Sequence, residues 1–484
     1  MGREPWEWTC AAHAIRWATV RTGFLAKVRV PAPTRTAAMV KLKRLKIHQF
    51  RNVAPGTELH FRDSLNVLLG KNGTGKTTLL NLIVALLNWN FEPLLGEPLA
   101  LEYELEVSGG RAILRLRNEL FIRRERVLTP EEQTDTQELI ERSLLVAGDR
   151  YETSGEILLG GLQSPPEWRI AFHGSNISLH KADDSILHQW VAWTPIVGRQ
   201  TFQNIWQALA VTLPGALSMG QVNAVMGGLI PFGSSDILKL RRFDESLGYL
   251  NHLTRDERVV TVQRLSDEGS AYRAIAWDAM PRSVLTRIHQ QVRDAPEANE
   301  VSDEADQDEK GFLGRVIKLL GVQSVKILFP RIARRMDPGE SIDFGNIRFD
   351  LTRRDRSVIN HTVLSYGQKR LLSFYYYLAC NLACVVADEL VNGMHHEWIE
   401  ACLEDLGERQ AFLTSQNPLL LDYLGFGSAE EVRSSFVLCR SELRGDREIL
   451  HWENMSSEDA EGFFSAYQVG IQHVSEILRT RGLW

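Results

Sequence analysis

The sequence predicts an α/β protein: a head with a mixed central sheet, divided by an inserted, largely helical subdomain. Three observations carry that expectation. An apolar strand-like run, Leu65–Leu69, enters a glycine-rich loop and then an apolar helical stretch. A second apolar run, Leu382–Ala387, ends in Asp388-Glu389 and follows a stretch with helix-forming text. From Lys76 to Leu364 is 288 residues, far more than a connecting loop needs.

Composition narrows the class. The chain has 484 residues, of which 44% are hydrophobic and 24% charged, the balance of an ordinary globular protein. With 55 Lys and Arg against 61 Asp and Glu, the net charge of −6 excludes a wholly basic nucleic-acid coat but leaves local basic faces open. No run of ~18 apolar residues occurs, so no membrane span is expected. Cys10, Cys380, Cys384, Cys402 and Cys439 are odd in number and form no CxxC pair. That argues against a disulfide framework or zinc site and for a reducing, cytoplasmic setting. Cys380 and Cys384, four apart in apolar text, are expected in the core.

Residues 1–38 contain Trp6, Trp8, Trp17, Pro31 and Pro33 and are expected to form a poorly ordered extension, with Met39 a candidate start. Arg16 and Arg21 interrupt any signal-peptide core. Residues 39–97 are expected to form the first lobe, with strand-like runs at KLKRLKIHQFRNV, ELHF and LNVLL. Its cations Lys41, Lys43, Arg44 and Lys46 read as a solvated strand face, or alternatively as a phosphate-backbone contact. Lys239, Arg241 and Arg242 form a second basic patch.

Residues 98–345 are expected to be the insertion. Alternation over 99–107 and 111–117 predicts a hairpin, 131–145 an amphipathic helix, and 236–292 largely helix. Residues 294–310 hold eight acids and one Lys, which predicts a flexible acidic loop. Strand-like text returns at 324–330 and 346–354. Residues 346–484 are expected to form the second lobe. There Glu458, Asp459 and Glu461 read as a solvated helix face. The terminal HVSEILRTRGLW reads as a helix docking through Val474, Ile477, Leu478 and Leu483.

The chemistry concentrates in three motifs. Gly70-Lys71-Asn72-Gly73-Thr74-Gly75-Lys76-Thr77, followed by Thr78, fits GxxxxGK[ST] between a strand and a helix. Gly70, Gly73 and Gly75 let the backbone curl so that its N–H groups, with Asn72 among them, point at phosphate oxygens. The helix N-terminus adds positive partial charge. Lys76 is expected at the β/γ-phosphates and the Thr77 hydroxyl on Mg²⁺. Leu364-Ser365-Tyr366-Gly367-Gln368 reads LSxGQ at the start of a helix, another anion-binding position. Asp388 and Glu389 then close an apolar strand, Asp388 to hold Mg²⁺ and Glu389 to orient and deprotonate an attacking water.

In that order, the phosphate loop, LSxGQ and Asp-Glu resemble the ATP-binding-cassette ATPases. Within them, LKIHQFRNV and DELVNGMHH resemble the RecF/SMC/OLD-like group of DNA-associated ATPases, where the second phrase often reads like PENGLHP. Asn392, Gly393 and His395 match, Met394 is a conservative change, and Leu390, Val391 and His396 depart. The resemblance implies ATP and Mg²⁺ as cofactors. It also implies that Ser365, Gly367 and Gln368 cap the γ-phosphate held by a second copy, making an ATP-dependent homodimer or larger assembly. The group's switch residue, usually His, is Gln416 in the phrase AFLTSQNP. Gln donates hydrogen bonds to phosphate but cannot become cationic, which predicts slow or partner-gated hydrolysis.

The leading functional expectation is therefore an ATPase switch controlling a separate DNA-directed effector, a nuclease or toxin, in anti-phage defence. A RecF-like DNA-repair or chromosome-maintenance ATPase and an assembly scaffold with little turnover are the alternatives. DNA is carried as a candidate partner, and a membrane is not.

Overall fold

The computed structural model describes residues 40–88, 90–94, 96–107, 110–121, 150–162, 165–173, 176–191, 240–243, 258–264, 272–277, 279–306, 311–336 and 340–484. The expected extension 1–38, the amphipathic helix at 131–145 and Lys239 lie outside them.

Along the chain, β1 (Val40–Phe50), β2 (Thr57–His60) and β3 (Leu65–Leu69) precede α1 (Lys76–Asn88). Six strands follow: β4 (Leu99–Val107), β5 (Gly110–Phe121), β6 (Arg150–Gly161), β7 (Trp168–His173), β8 (Asn176–Lys181) and β9 (Ile186–Val191). Then come β10 (Arg258–Arg264), β11 (Tyr272–Ala276), α2 (Arg282–Asp294), β12 (Glu300–Asp306), α3 (Phe312–Leu320), β13 (Ser324–Arg335), β14 (Ser341–Gly345), β15 (Arg348–Thr352) and β16 (Val358–Asn360). The C-terminal part runs α4 (Tyr366–Cys380), β17 (Cys384–Ala387), α5 (His396–Glu404), β18 (Gln410–Thr414), α6 (Pro418–Asp422) and α7 (Ala429–Ser435). It closes with β19 (Phe436–Arg444), β20 (Arg447–Asn454), α8 (Ser457–Val469) and α9 (Val474–Thr480).

The sheet that matters for the site has the order β17-β18-β3-β19-β20. Its first four strands are parallel and β20 is antiparallel, so the sheet is mixed. Parallel strands buried on both faces must be apolar throughout, and Cys384–Ala387 and Gln410–Thr414 are buried at every position. Because β17, β18 and β3 run the same way, their C-terminal ends share one edge of the sheet. Loops leaving that edge meet there.

Helix α4 is buried nearly all round, from Arg370 to Leu378, as a helix between layers must be. Tyr376 and Tyr377 are fully buried. The Tyr377 hydroxyl takes the Val386 N–H at 3.0 Å, joining α4 to β17. Arg370 is also fully buried, and donates to the carbonyls of Leu390 at 2.8 Å, Asp388 at 3.2 Å and Glu389. Its guanidinium carbon lies 5.0 Å from the Phe243 ring centroid. Cys380, Cys384, Cys402 and Cys439 are buried thiols outside any disulfide. The terminal α9 buries Val474, Ile477 and Leu478, and Leu483 is buried beyond it. Among the described residues no helix is long and apolar enough to cross a membrane.

The expectation of a largely helical insertion needs correction among the described residues of 98–345. The 99–117 hairpin is β4–β5, inside an eight-stranded antiparallel sheet β2-β1-β4-β5-β6-β7-β8-β9. Among the described residues of 236–292, 258–264 and 272–276 are the paired strands β10 and β11, and helix spans Arg282–Asp294. Val259, Val260 and Val262 are all buried there, and β-branched side chains favour the pleated surface.

The acidic stretch 294–310 is not a flexible loop over its described part. Helix α2 ends at Asp294, and β12 pairs along its whole length with β13. Val301, Asp303 and Ala305 face inward in strict alternation. Arg287 of α2 neutralises buried Asp303, and Arg348 of β15 pairs Glu300 at 2.9 Å. Acids that composition alone marks as unfoldable are matched by cations from distant segments.

The β1 cations are matched in the same way. Lys43 reaches Asp63 at 2.5 Å and Glu106 at 3.4 Å, Lys46 reaches Glu58 at 3.3 Å, and Arg44 pairs Glu58 and Glu102. Lys41 is buried, with Nζ on the carbonyls of Asp63 and Glu408, and burial lowers its pKa. This face is therefore neither a freely solvated strand face nor a free phosphate-binding patch.

Replacing Arg370 with Met should leave three buried carbonyls without their donor. Stability should fall by on the order of 3 kcal/mol. A urea transition followed by tryptophan fluorescence should move to lower denaturant, and an unchanged midpoint would contradict the clamp role.

Candidate functional site

The loop between β3 and α1 is shaped by close packing. A Cβ on Gly70 would sit 2.2 Å from the Cys439 carbonyl oxygen. One on Gly75, whose φ is +80°, would sit 2.6 Å from Leu450 Cδ1 and 3.0 Å from Trp452 Cζ2. Only glycine allows both the left-handed backbone and the approach. Trp452 of β20 also donates its indole N–H to the Thr74 carbonyl at 3.1 Å. Lys76 Nζ lies inside the curl, on the Gly70 and Lys71 carbonyls at 2.7 and 2.9 Å.

The three strand ends then converge. The Thr77 hydroxyl donates to Asp388 Oδ2 at 2.7 Å. Thr414, last residue of β18, donates its hydroxyl to Asp388 Oδ1 and accepts the Glu389 N–H at 2.9 Å. Glu389 Oε2 accepts the Gln416 N–H at 3.0 Å, and the Gln416 side-chain amide donates to Asn72 Oδ1 at 3.0 Å. Glu389 is buried at φ +50°, a left-handed conformation that costs a non-glycine residue roughly 1 kcal/mol. Arg370 holds its carbonyl in place. Backbone strain of this kind is characteristic of functional positions.

A cavity of about 550 Å³ opens over this edge. Asn72, Gly73, Gly75, Lys76, Thr77, Thr78, Asp388, Glu389 and Gln416 line it, and so does Arg242. Gly70 lies behind it, holding Lys76 through its carbonyl. Thr77 and Asp388 offer adjacent hard oxygen donors at the rim of an open cavity. That donor set fits Mg²⁺, which keeps several waters and takes few protein ligands.

Ser365, Gly367 and Gln368 do not line this cavity. Ser365 is the N-cap of α4: its hydroxyl accepts the Gln368 N–H at 3.3 Å, and the Gln368 side chain accepts the Ser365 N–H at 3.0 Å. This reciprocal cap satisfies two helix-end donors. A Cβ on Gly367 would meet the Gly393 carbonyl oxygen at 2.3 Å, so Gly367 is what lets α4 pack against the Asn392–Met394 turn. Ser365 itself is exposed.

Sequence reasoning missed Trp452, Thr414, Arg370 and the place of Arg242 in the cavity. Thr414 had a signal, since it closes the strand before Gln416. Arg370 follows LSxGQ on the same helix, while Trp452 and Arg242 join the site from segments without a motif.

Residues 40–141 match the family model described as AAA ATPase domain. No curated protein matches the chain. Solved structures similar to it include the SMC head domain from Thermotoga maritima, 11% identical with a TM-score of 0.33, covering 86% of this chain and 99% of that one. An Smc head bound to the C-winged helix domain of ScpA is 9% identical with a TM-score of 0.36, covering 86% and 98%. An Smc head with an extended coiled coil, bound to the C-terminal domain of ScpA from Pyrococcus furiosus, is 10% identical with a TM-score of 0.33, covering 89% and 100%.

Gly75→Ala should fold but distort the loop, because the added methyl meets Leu450 and Trp452 in a strained backbone. Titration with a fluorescent ATP analogue should show binding weakened by about tenfold or more. Wild-type affinity would contradict this account of the loop.

Proposed function

We propose that the protein is an ATP-binding and ATP-hydrolysing switch of the SMC-like, ATP-binding-cassette type. The observation that carries this reading is the convergence of the phosphate loop, the Thr77–Asp388 pair and Glu389 on one cavity. The AAA ATPase domain match over the same loop supports it.

The chain's groups divide the work as follows. Loop N–H groups and the α1 N-terminus receive the triphosphate. Lys76 exchanges its loop carbonyls for phosphate oxygens and compensates their charge. Mg²⁺ held by Thr77 and Asp388 would supply charge neutralisation at the β- and γ-phosphates. Glu389, oriented by the Gln416 N–H, accepts a proton from the attacking water. The Gln416 side chain donates to the γ-phosphate without contributing positive charge, which favours slow, partner-gated turnover.

Ser365, Gly367 and Gln368, outside their own chain's cavity, are free to serve a second copy. This favours a homodimer, or a larger assembly, closing on ATP. We extend the reading to control of a separate DNA-directed effector, a nuclease or toxin, in anti-phage defence, on the resemblance to the RecF/SMC/OLD-like group. A RecF-like repair role is the alternative. Recovery of the native complex with its partner discriminates between them.

Glu389→Gln should keep ATP binding and lower kcat by about a hundredfold or more. With ATP it should accumulate as a dimer by light scattering, whereas monomer mass with and without ATP would count against the paired arrangement. Lys76→Ala should lose ATP binding in a direct titration. Gln416→Ala should hydrolyse more slowly than wild type, and a faster rate would reject its phosphate contact.

A further inference from the structure

Arg242 belongs to none of the three motifs, yet backbone pairing brings it to the cavity. The Phe243 N–H donates to the Val386 carbonyl at 2.8 Å, and the Asp388 N–H donates to the Phe243 carbonyl at 2.7 Å. Phe243 thus bridges to the sheet edge at Ala387 of β17, and the side chain of Asn88 in α1 holds the Leu240 carbonyl. Arg242 is therefore anchored at the same end of β17 as Asp388. Its Nη1 donates to Asp388 Oδ2, the oxygen that also takes the Thr77 hydroxyl. The pair is largely shielded, with side chains 23% and 13% exposed.

A divalent cation at Thr77 and Asp388 needs that same carboxylate oxygen. Two cations crowded on one oxygen repel, so the guanidinium must withdraw as the metal enters. It withdraws into a cavity built to receive phosphate, where its fork geometry suits phosphate oxygens.

We propose that Arg242 is an internal counter-ion: it occupies the Asp388 carboxylate while the site is metal-free, and on metal entry leaves it and serves as a phosphate contact. This inference rests on the cavity being the Mg²⁺–ATP site. It adds an ordering device to that reading. Metal without nucleotide competes against a resident cation, whereas metal arriving with a triphosphate gives the displaced guanidinium a new anion. Arg242 thereby couples metal loading to nucleotide loading.

The test uses Mn²⁺ alone as probe, titrated into the nucleotide-free full-length protein and read by the EPR signal of free Mn²⁺. Arg242→Gln removes the competing charge and should bind Mn²⁺ about fivefold more tightly than wild type. Arg242→Met retains the stem without the charge. It should act in the same direction and decides the matter if the first variant does not fold. Adding Asp388→Asn to either variant should erase the gain, locating it at this carboxylate. ATP binding measured at saturating Mg²⁺ should weaken about fivefold in the same variants, because a phosphate contact is lost. Mn²⁺ affinity equal to or below that of wild type would overturn the counter-ion role, as would a gain that survives Asp388→Asn. Unchanged ATP binding at saturating Mg²⁺ would overturn the phosphate contact. Wild-type ATP binding in Mg²⁺ is measured in parallel. Its absence would reject the functional reading, while the Mn²⁺ comparison still judges Arg242 independently.

Discussion

One shielded carboxylate ties the active edge together. Asp388 follows directly on β17, and its oxygens are claimed by Thr77 at the start of α1, Thr414 from β18 and Arg242 from the neighbouring sheet edge. A carboxylate with little access to water must be compensated, so each partner is held to its geometry. The parallel register makes these contacts reachable: Ala387 lies beside Leu413, and Thr414 beside Leu68.

The second constraint lies beneath that edge. Arg370 is a fully buried cation that donates to three main-chain carbonyls at the point where the chain leaves β17. Those bonds hold Glu389 in a left-handed backbone and so aim its carboxylate at the cavity. Because Arg370 is on α4, the LSxGQ segment and the Asp-Glu pair are mechanically one unit. Gly367 packing on Gly393 completes that coupling on the outer side. A displacement of α4 therefore reaches Glu389 through rigid contacts.

The motif residues were legible because each answers a local demand. Gly75 has a left-handed φ, and Ser365 with Gln368 is the sequence form of a helix cap. Such demands involve few neighbours and leave a fixed spacing in the text. The insertion was harder to read. Residues Glu300–Asp306 look like a solvated loop until Arg287 and Arg348 are placed beside them. Lys43, Arg44 and Lys46 likewise look like an open basic face until β2 and β4 bring Glu58, Glu102 and Glu106 across. Charge in a sequence is a property of one segment, whereas compensation is a property of a pair.

By itself the sequence determined the phosphate loop, the capped α4 and the strand ending in Asp388-Glu389, because backbone conformation and hydrogen bonding within a few residues dictate them. Tertiary structure alone decided that β18 lies between β17 and β3, that Trp452 backs the loop, and that Arg242 shares the oxygen of Asp388. These are contacts between segments up to several hundred residues apart. Nothing in local spacing encodes them, since strand order is settled by burial and pairing of the whole sheet at once.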